Sequence, residues 1–88
     1  MKPDIKICGL KTPEALERAV RRGASHVGFI FFEKSPRNID PDIAGRLADD
    51  VRGAAKVVAV TVNADNDYLD EIVDLVKPDI LQLHGSES

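Results

Sequence analysis

Short apolar segments alternate with segments of helical spacing along the whole chain. The segments 4–8, 26–32, 57–62 and 79–84 are too short for helices, and the second and third are rich in β-branched and aromatic residues, so all four predict strands. Between them, apolar residues recur at intervals of three and four, which predicts three amphipathic helices. Their apolar stripes are Ala15, Leu16, Ala19 and Val20; Ile43, Ala44, Leu47, Ala48 and Val51; and Leu69, Ile72, Val73 and Val76. The predicted order is β-α-β-α-β-α-β.

Capping residues and prolines predict where the helices begin and end. Thr12 precedes Pro13, and Asp40 precedes Pro41. In each case a side chain that can accept a hydrogen bond from the first turn is followed by the residue that suits the first helical position. Pro78 disfavours helical backbone at the residue before it, so the third helix should end there.

Strict alternation with short connections predicts parallel strands joined by right-handed crossovers. We therefore expect an α/β fold in which residues 1–88 form a single domain. Half of a (β/α)₈ barrel, a (βα)₃β partial TIM barrel, has this element order, and so does a short flavodoxin-like sheet. The periodicity alone does not separate the two.

Composition and charge narrow the functional classes. The chain has 88 residues, 43% of them hydrophobic, and a formal net charge of −3, which fits a small soluble domain and gives no reason to expect nucleic acid or a membrane as partner. Residues 1–44 carry eight Lys or Arg against six Asp or Glu, so this half favours an anionic ligand. With one cysteine and no signal peptide or long apolar run, we expect a cytoplasmic protein without an internal disulfide.

Chemically useful residues follow the predicted strands. Ligands of parallel α/β sheets gather at the carboxyl ends of the strands. Cys8 ends the first strand, Arg37 lies in the loop after the second, Asn63 follows the third, and Gln82 and His84 close the fourth. The topology predicts that these side chains share one end of the sheet.

Each of these residues has a chemical and a structural interpretation. Cys8 can act as a base or nucleophile, or can simply fill space as a small buried side chain. Arg37 can bind a carboxylate or phosphate, or can be a solvated loop residue. His84 can act as an acid, base or donor to a substrate, and Gln82 can line a site; either can also be satisfied by neighbours within the fold.

Several segments, in order and correctly spaced, resemble the phosphoribosylanthranilate isomerase family across nearly the whole chain. Each match is modest alone, and together they are specific. One position departs from the pattern, since Thr61 stands where the family usually has Phe. The matching stretches are Lys6-Ile7-Cys8-Gly9-Leu10, Gly28-Phe29-Ile30-Phe31, Ser35-Pro36-Arg37-Asn38-Ile39, Val60-Thr61-Val62-Asn63, and Leu81-Gln82-Leu83-His84-Gly85 with Glu87.

The resemblance implies the N-terminal half of a (β/α)₈ barrel and an Amadori rearrangement of N-(5′-phosphoribosyl)anthranilate in tryptophan biosynthesis. In that reaction an aminoaldose opens to a Schiff base, loses the proton on C2′ and becomes an aminoketose. The family's base corresponds to Cys8, the arginine that contacts the anthranilate carboxylate corresponds to Arg37, and the fourth-strand substrate residues correspond to Gln82 and His84. No metal or organic cofactor is implied.

The same resemblance places the general acid on a fifth strand and the phosphate site after strands seven and eight. Residues 1–88 include neither the fifth strand nor the loops after strands seven and eight. We therefore expect these residues alone to be an inactive fragment of an active parent enzyme. We also expect the half-barrel to self-associate through its open edges.

Two other functions remain as alternatives. A different phosphate-handling barrel enzyme, such as an epimerase or an indole-glycerol-phosphate synthase, would require a lysine or carboxylate at the position of Cys8. A flavodoxin-like, non-enzymatic binding or assembly module of the receiver type would want an acidic cluster at the strand ends, where this chain has Cys8, Phe31 and Asn63.

Overall fold

The computed structural model describes residues 6–32, 34 and 36–84, with His84 described by its backbone only. Of the predicted features, residues 4 and 5 of the first strand, Ser35 of the loop after the second strand, and Gly85 and Glu87 lie outside the described residues. The predicted element order is confirmed. The elements are β1 (Lys6–Cys8), α1 (Pro13–Arg21), β2 (His26–Phe31), α2 (Pro41–Val51), β3 (Lys56–Val62), α3 (Asn66–Val76) and β4 (Ile80–His84).

The helix boundaries follow from local chemistry. The Thr12 side chain accepts a hydrogen bond from the backbone N–H of Ala15, and Asp40 accepts one from Asp42, so both predicted caps are confirmed. The third helix ends at Val76, and its C-cap residue Lys77 adopts left-handed backbone (φ 51°) directly before Pro78. These caps satisfy backbone groups that the helices themselves leave unpaired.

The four strands form one parallel sheet in the order β1-β2-β3-β4. A flavodoxin-like sheet has the order 2-1-3-4-5 and helices on both faces. Here neighbours in sequence are neighbours in the sheet, and α1, α2 and α3 supply one contiguous core against one face. The structure therefore selects the barrel-type arrangement and rejects the flavodoxin-like alternative.

The sheet has a helix-covered outer face and an inner face without helices. The outer face carries Val27, Phe29, Phe31, Val57 and Ala59, each of which is fully buried in the core together with the buried residues of the three helices. Strand alternation and register place a second set, the alternate residues of each strand, on the inner face. That set is Lys6, Cys8, His26, Gly28, Ile30, Lys56, Val58, Val60, Val62, Ile80, Gln82 and His84.

The predicted apolar stripes were wrong at Val73 of α3, which is 44% exposed, and at Ile43 of α2. Ile43 is 49% exposed, whereas Ala44 and Gly45 are buried. A Cβ at Gly45 would lie 2.3 Å from the carbonyl oxygen of Leu75, so α2 meets the backbone of α3 through this glycine. That close approach turns the buried face of α2 toward α3 and leaves Ile43 outside it.

None of the helices within residues 6–32, 34 and 36–84 has the length and apolar character that a membrane span requires.

Candidate active site

Cys8 lies at the end of β1, on the inner face and half-buried. Its neighbour across the ladder is Gly28, and a Cβ there would be only 2.7 Å from the Cys8 Sγ. The glycine therefore leaves the space that the thiol occupies. The Gly9 N–H donates to the Gly28 carbonyl oxygen at 3.0 Å, which continues the ladder one step beyond Cys8. The position of the thiol is thus set by backbone on both strands.

Arg37 packs over the residue that follows Cys8. Gly9 has φ +83°, a left-handed conformation that glycine adopts without strain. A Cβ at Gly9 would lie 2.7 Å from the Cδ of Arg37, so the arginine stem occupies the space that glycine leaves. Two close approaches, one at Gly28 and one at Gly9, bring Cys8 and Arg37 to the same end of the sheet.

The loop that carries Arg37 is held at both ends. Asn38 forms an isolated parallel bridge with Ile30, and its side-chain oxygen accepts a 2.8 Å hydrogen bond from the Phe32 N–H. Lys11, in the loop after β1, donates from Nζ to the Pro36 carbonyl oxygen at 3.2 Å. These contacts tie the loop after β2 to the loop after β1, which begins next to Cys8.

Gln82 lies on the inner face of β4 and meets a residue of the opposite edge strand. Its Oε1 accepts a 2.5 Å hydrogen bond from Lys6 Nζ on β1. Strands in a flat sheet lie ~4.8 Å apart, so β1 and β4 would be separated by ~14 Å. The contact therefore requires the sheet to curl inward, as strands do in a barrel.

His84, Asn63 and Thr61 lie at or near the ends of β3 and β4. His84 pairs with Val62 at the end of β4, and its side chain lies outside the described residues. Asn63 follows β3 in left-handed backbone (φ 54°). Thr61, the departure from the family pattern, is buried on the outer face, and its hydroxyl donates to the Gln82 carbonyl oxygen at 3.4 Å.

An open cleft at this end lies between the loops after β2 and β3 and has a volume of about 760 Å³. Its walls include Lys34, Asp40, Asp65 and Glu71, and none of Cys8, Arg37 or Gln82. With three carboxylates against one ammonium among the described residues, the cleft suits an anionic ligand poorly. We therefore place the candidate site on the inner face beside Cys8 rather than in this cleft.

Taken together, the structure brings Cys8 and Arg37 to one place and puts Gln82 on the same face of the sheet. Lys6 was not among the residues predicted to form this site. The available signal was that Lys6 and Gln82 are both polar residues at inward-facing positions of predicted strands.

Comparison with known proteins gives consistent results. Residues 5–88 match the family described as N-(5′-phosphoribosyl)anthranilate (PRA) isomerase. The N-(5′-phosphoribosyl)anthranilate isomerase of Agrobacterium fabrum is 89% identical over 88 residues, which cover 100% of this chain and 40% of that protein. The chain thus spans about two fifths of the length of that relative.

Two solved structures are also similar, each 33% identical over 99% of this chain. One is a phosphoribosyl anthranilate isomerase in complex with reduced 1-(o-carboxyphenylamino)-1-deoxyribulose 5-phosphate (TM-score 0.89, 45% of that chain). The other is described as mutually generated monomers of the dimeric isomerase from Thermotoga maritima (TM-score 0.87, 44% of that chain).

Proposed function

Because this chain belongs to the phosphoribosylanthranilate isomerase family, we propose that it forms the N-terminal half of a (β/α)₈ barrel and supplies the base and the carboxylate-binding group for the Amadori rearrangement of N-(5′-phosphoribosyl)anthranilate. The product is the carboxyphenylamino-deoxyribulose phosphate. A role in tryptophan biosynthesis and a cytoplasmic location are parts of the same proposal.

One observation carries this proposal, namely the placement of Cys8 and Arg37 on either side of Gly9. In the substrate, only two ring carbons, the nitrogen and C1′ separate the anthranilate carboxylate carbon from C2′. A base for the C2′ proton and a cation for the carboxylate must therefore lie near each other in the site. Cys8 precedes Gly9 in the chain and the stem of Arg37 packs against Gly9, so the two groups lie close together as this chemistry requires.

The roles follow from the chemistry of the side chains. Cys8 takes the proton from C2′ of the Schiff base, and the electron pair left on carbon forms the enamine that becomes the ketose. Arg37 holds the carboxylate through its planar, permanently charged fork. We propose Gln82 and His84 as further substrate contacts, since both occupy inward positions of β4. No step assigned to these residues calls for a metal or an organic cofactor.

A chimera tests the proposal directly. Residues 1–88 would be joined to the remaining sequence of the Agrobacterium fabrum relative, whose matching segment is 89% identical. We expect the purified chimera to convert N-(5′-phosphoribosyl)anthranilate and to restore growth without tryptophan in a strain that lacks the isomerase. The relative's remaining sequence alone is the control and should do neither. A folded chimera without turnover would refute the proposed function.

A polypeptide that consists only of residues 1–88 should be inactive and should self-associate. It carries the proposed base but, by the resemblance, neither the fifth-strand acid nor the phosphate loops. β1 and β4 are the edges of its sheet, and on β4 Leu81 and Leu83 are 37% and 64% exposed on the outer face. A second copy can cover both an unpaired strand edge and this apolar surface.

Sedimentation and a single-turnover assay measure the two halves of this prediction. We expect a dimer or larger assembly and no isomerase activity. A monodisperse monomer at high concentration would contradict the first half, and detectable turnover by the 88-residue polypeptide would contradict the second.

A further inference from the structure

The hydrogen bond between Lys6 and Gln82 joins the two edge strands across the inner face. Lys6 lies on the same face of β1 as Cys8, two residues before it, and is exposed, whereas Gln82 is half-buried. Val58, which lies on this face on β3, is only 1% exposed. Val58 is thus covered, whereas the hydrogen bond between Lys6 and Gln82 is itself exposed.

The chemistry of the two groups fixes which way the amide faces. A lysine ammonium carries three donors and no acceptor, so only the Oε1 of Gln82 can meet it. The Nε2 group, with its two N–H donors, must then face away from Lys6. The adjacent positive charge also polarises the amide, which strengthens the N–H groups as donors.

The register shows from which side the ammonium approaches. Lys6 aligns with Lys56 on β3 through His26. Gln82 aligns with Val60, four residues further along β3. The ammonium thus comes from the side where the strands begin. The N–H donors of Gln82 therefore face the side where the strands end, which is the side of the candidate site.

We propose that Lys6 is a positioning residue that fixes Gln82 as a hydrogen-bond donor to an acceptor oxygen of the anionic substrate. This inference rests on the proposed function and deepens it. Without Lys6 the amide can rotate and present its oxygen instead, which would face the substrate oxygen and repel it. Lys6 itself touches no reacting atom.

A double-mutant cycle in the complete chimera tests this. Lys6→Met keeps the apolar stem and removes the ammonium, and Gln82→Met removes the amide. We expect each variant to raise KM, and to weaken binding of reduced 1-(o-carboxyphenylamino)-1-deoxyribulose 5-phosphate, by roughly three- to tenfold at nearly unchanged kcat. The double variant should be no worse than Gln82→Met, since Lys6 acts only through Gln82.

Two further variants separate positioning from a structural role. Lys6→Arg should recover most of the affinity, because it restores a donor-only cation. Lys56→Met is the matched control, since it removes an exposed inner-face lysine at the same register level, and it should leave KM unchanged. An unchanged KM in Lys6→Met, or fully additive effects of the two substitutions, would overturn the inference. The proposed function would still stand in that case if the unsubstituted chimera turns over the substrate.

Discussion

Replacing Cys8 by alanine in the chimera should lower kcat by about 10²- to 10⁴-fold, because a positioned base typically contributes that much to a proton transfer. The change should leave the fold intact. Cys8 is half-buried at the end of β1, and alanine removes only the sulfur that rests over Gly28. KM should change little, since binding of the substrate is assigned to other side chains.

A serine variant provides the isosteric control for this prediction. Cys8→Ser keeps the size and position of the side chain but offers a much weaker base, so its kcat should fall nearly as far. Thermal unfolding of both variants should match the parent chimera within a few degrees. If Cys8→Ala keeps most of the turnover, or if Cys8→Ser is fully active, the thiol is not the base and its placement serves packing alone.

Replacing Arg37 by alanine should raise KM by roughly 10- to 100-fold, because hydrogen bonds to a charged group contribute about 1.5–3 kcal/mol. The stability of the chimera should change less, since Arg37 is an exposed loop residue whose stem covers Gly9. Arg37→Lys should recover only part of the affinity, because an ammonium cannot reproduce the planar fork. Steady-state kinetics at saturating and limiting substrate separate KM from kcat.

The same loop offers a matched control for Arg37. Lys34 is also exposed and cationic, but it lines the acidic cleft between the loops after β2 and β3 rather than the face that carries Cys8. Lys34→Ala should therefore leave KM within about twofold of the parent, as expected for an exposed surface charge away from the candidate site. Equal effects of the two substitutions would indicate a general electrostatic attraction rather than a carboxylate contact at Arg37.

Features that depend on local chemistry could be predicted from the sequence. The capping pairs Thr12-Pro13 and Asp40-Pro41 act within one helical turn, and both helices begin where those residues indicated. The end of α3 before Pro78 is equally local. Each of these signals needs only the backbone preferences of a few consecutive residues.

Features that depend on distant contacts could not be obtained from periodicity. The strand order, which rejected the flavodoxin-like alternative, follows from which strands pair across the sheet. Ile43 was placed in the buried stripe of α2 because the close approach of Gly45 to the α3 backbone has no signature in spacing. The Lys6–Gln82 bond joins residues 76 positions apart and depends on the curl of the sheet.

Selective labelling of the thiol tests the central claim most directly, because the claim is that Cys8 faces the bound substrate. Residues 1–88 contain a single cysteine, so mass spectrometry of the peptide that carries it follows the reaction of Cys8 with iodoacetamide without ambiguity. In the chimera, we predict that alkylation of Cys8 abolishes turnover in proportion to labelling. We also predict that saturating reduced 1-(o-carboxyphenylamino)-1-deoxyribulose 5-phosphate slows the alkylation of Cys8 at least tenfold. Full alkylation of Cys8 with retained turnover, at a rate that the analogue does not change, would contradict the account.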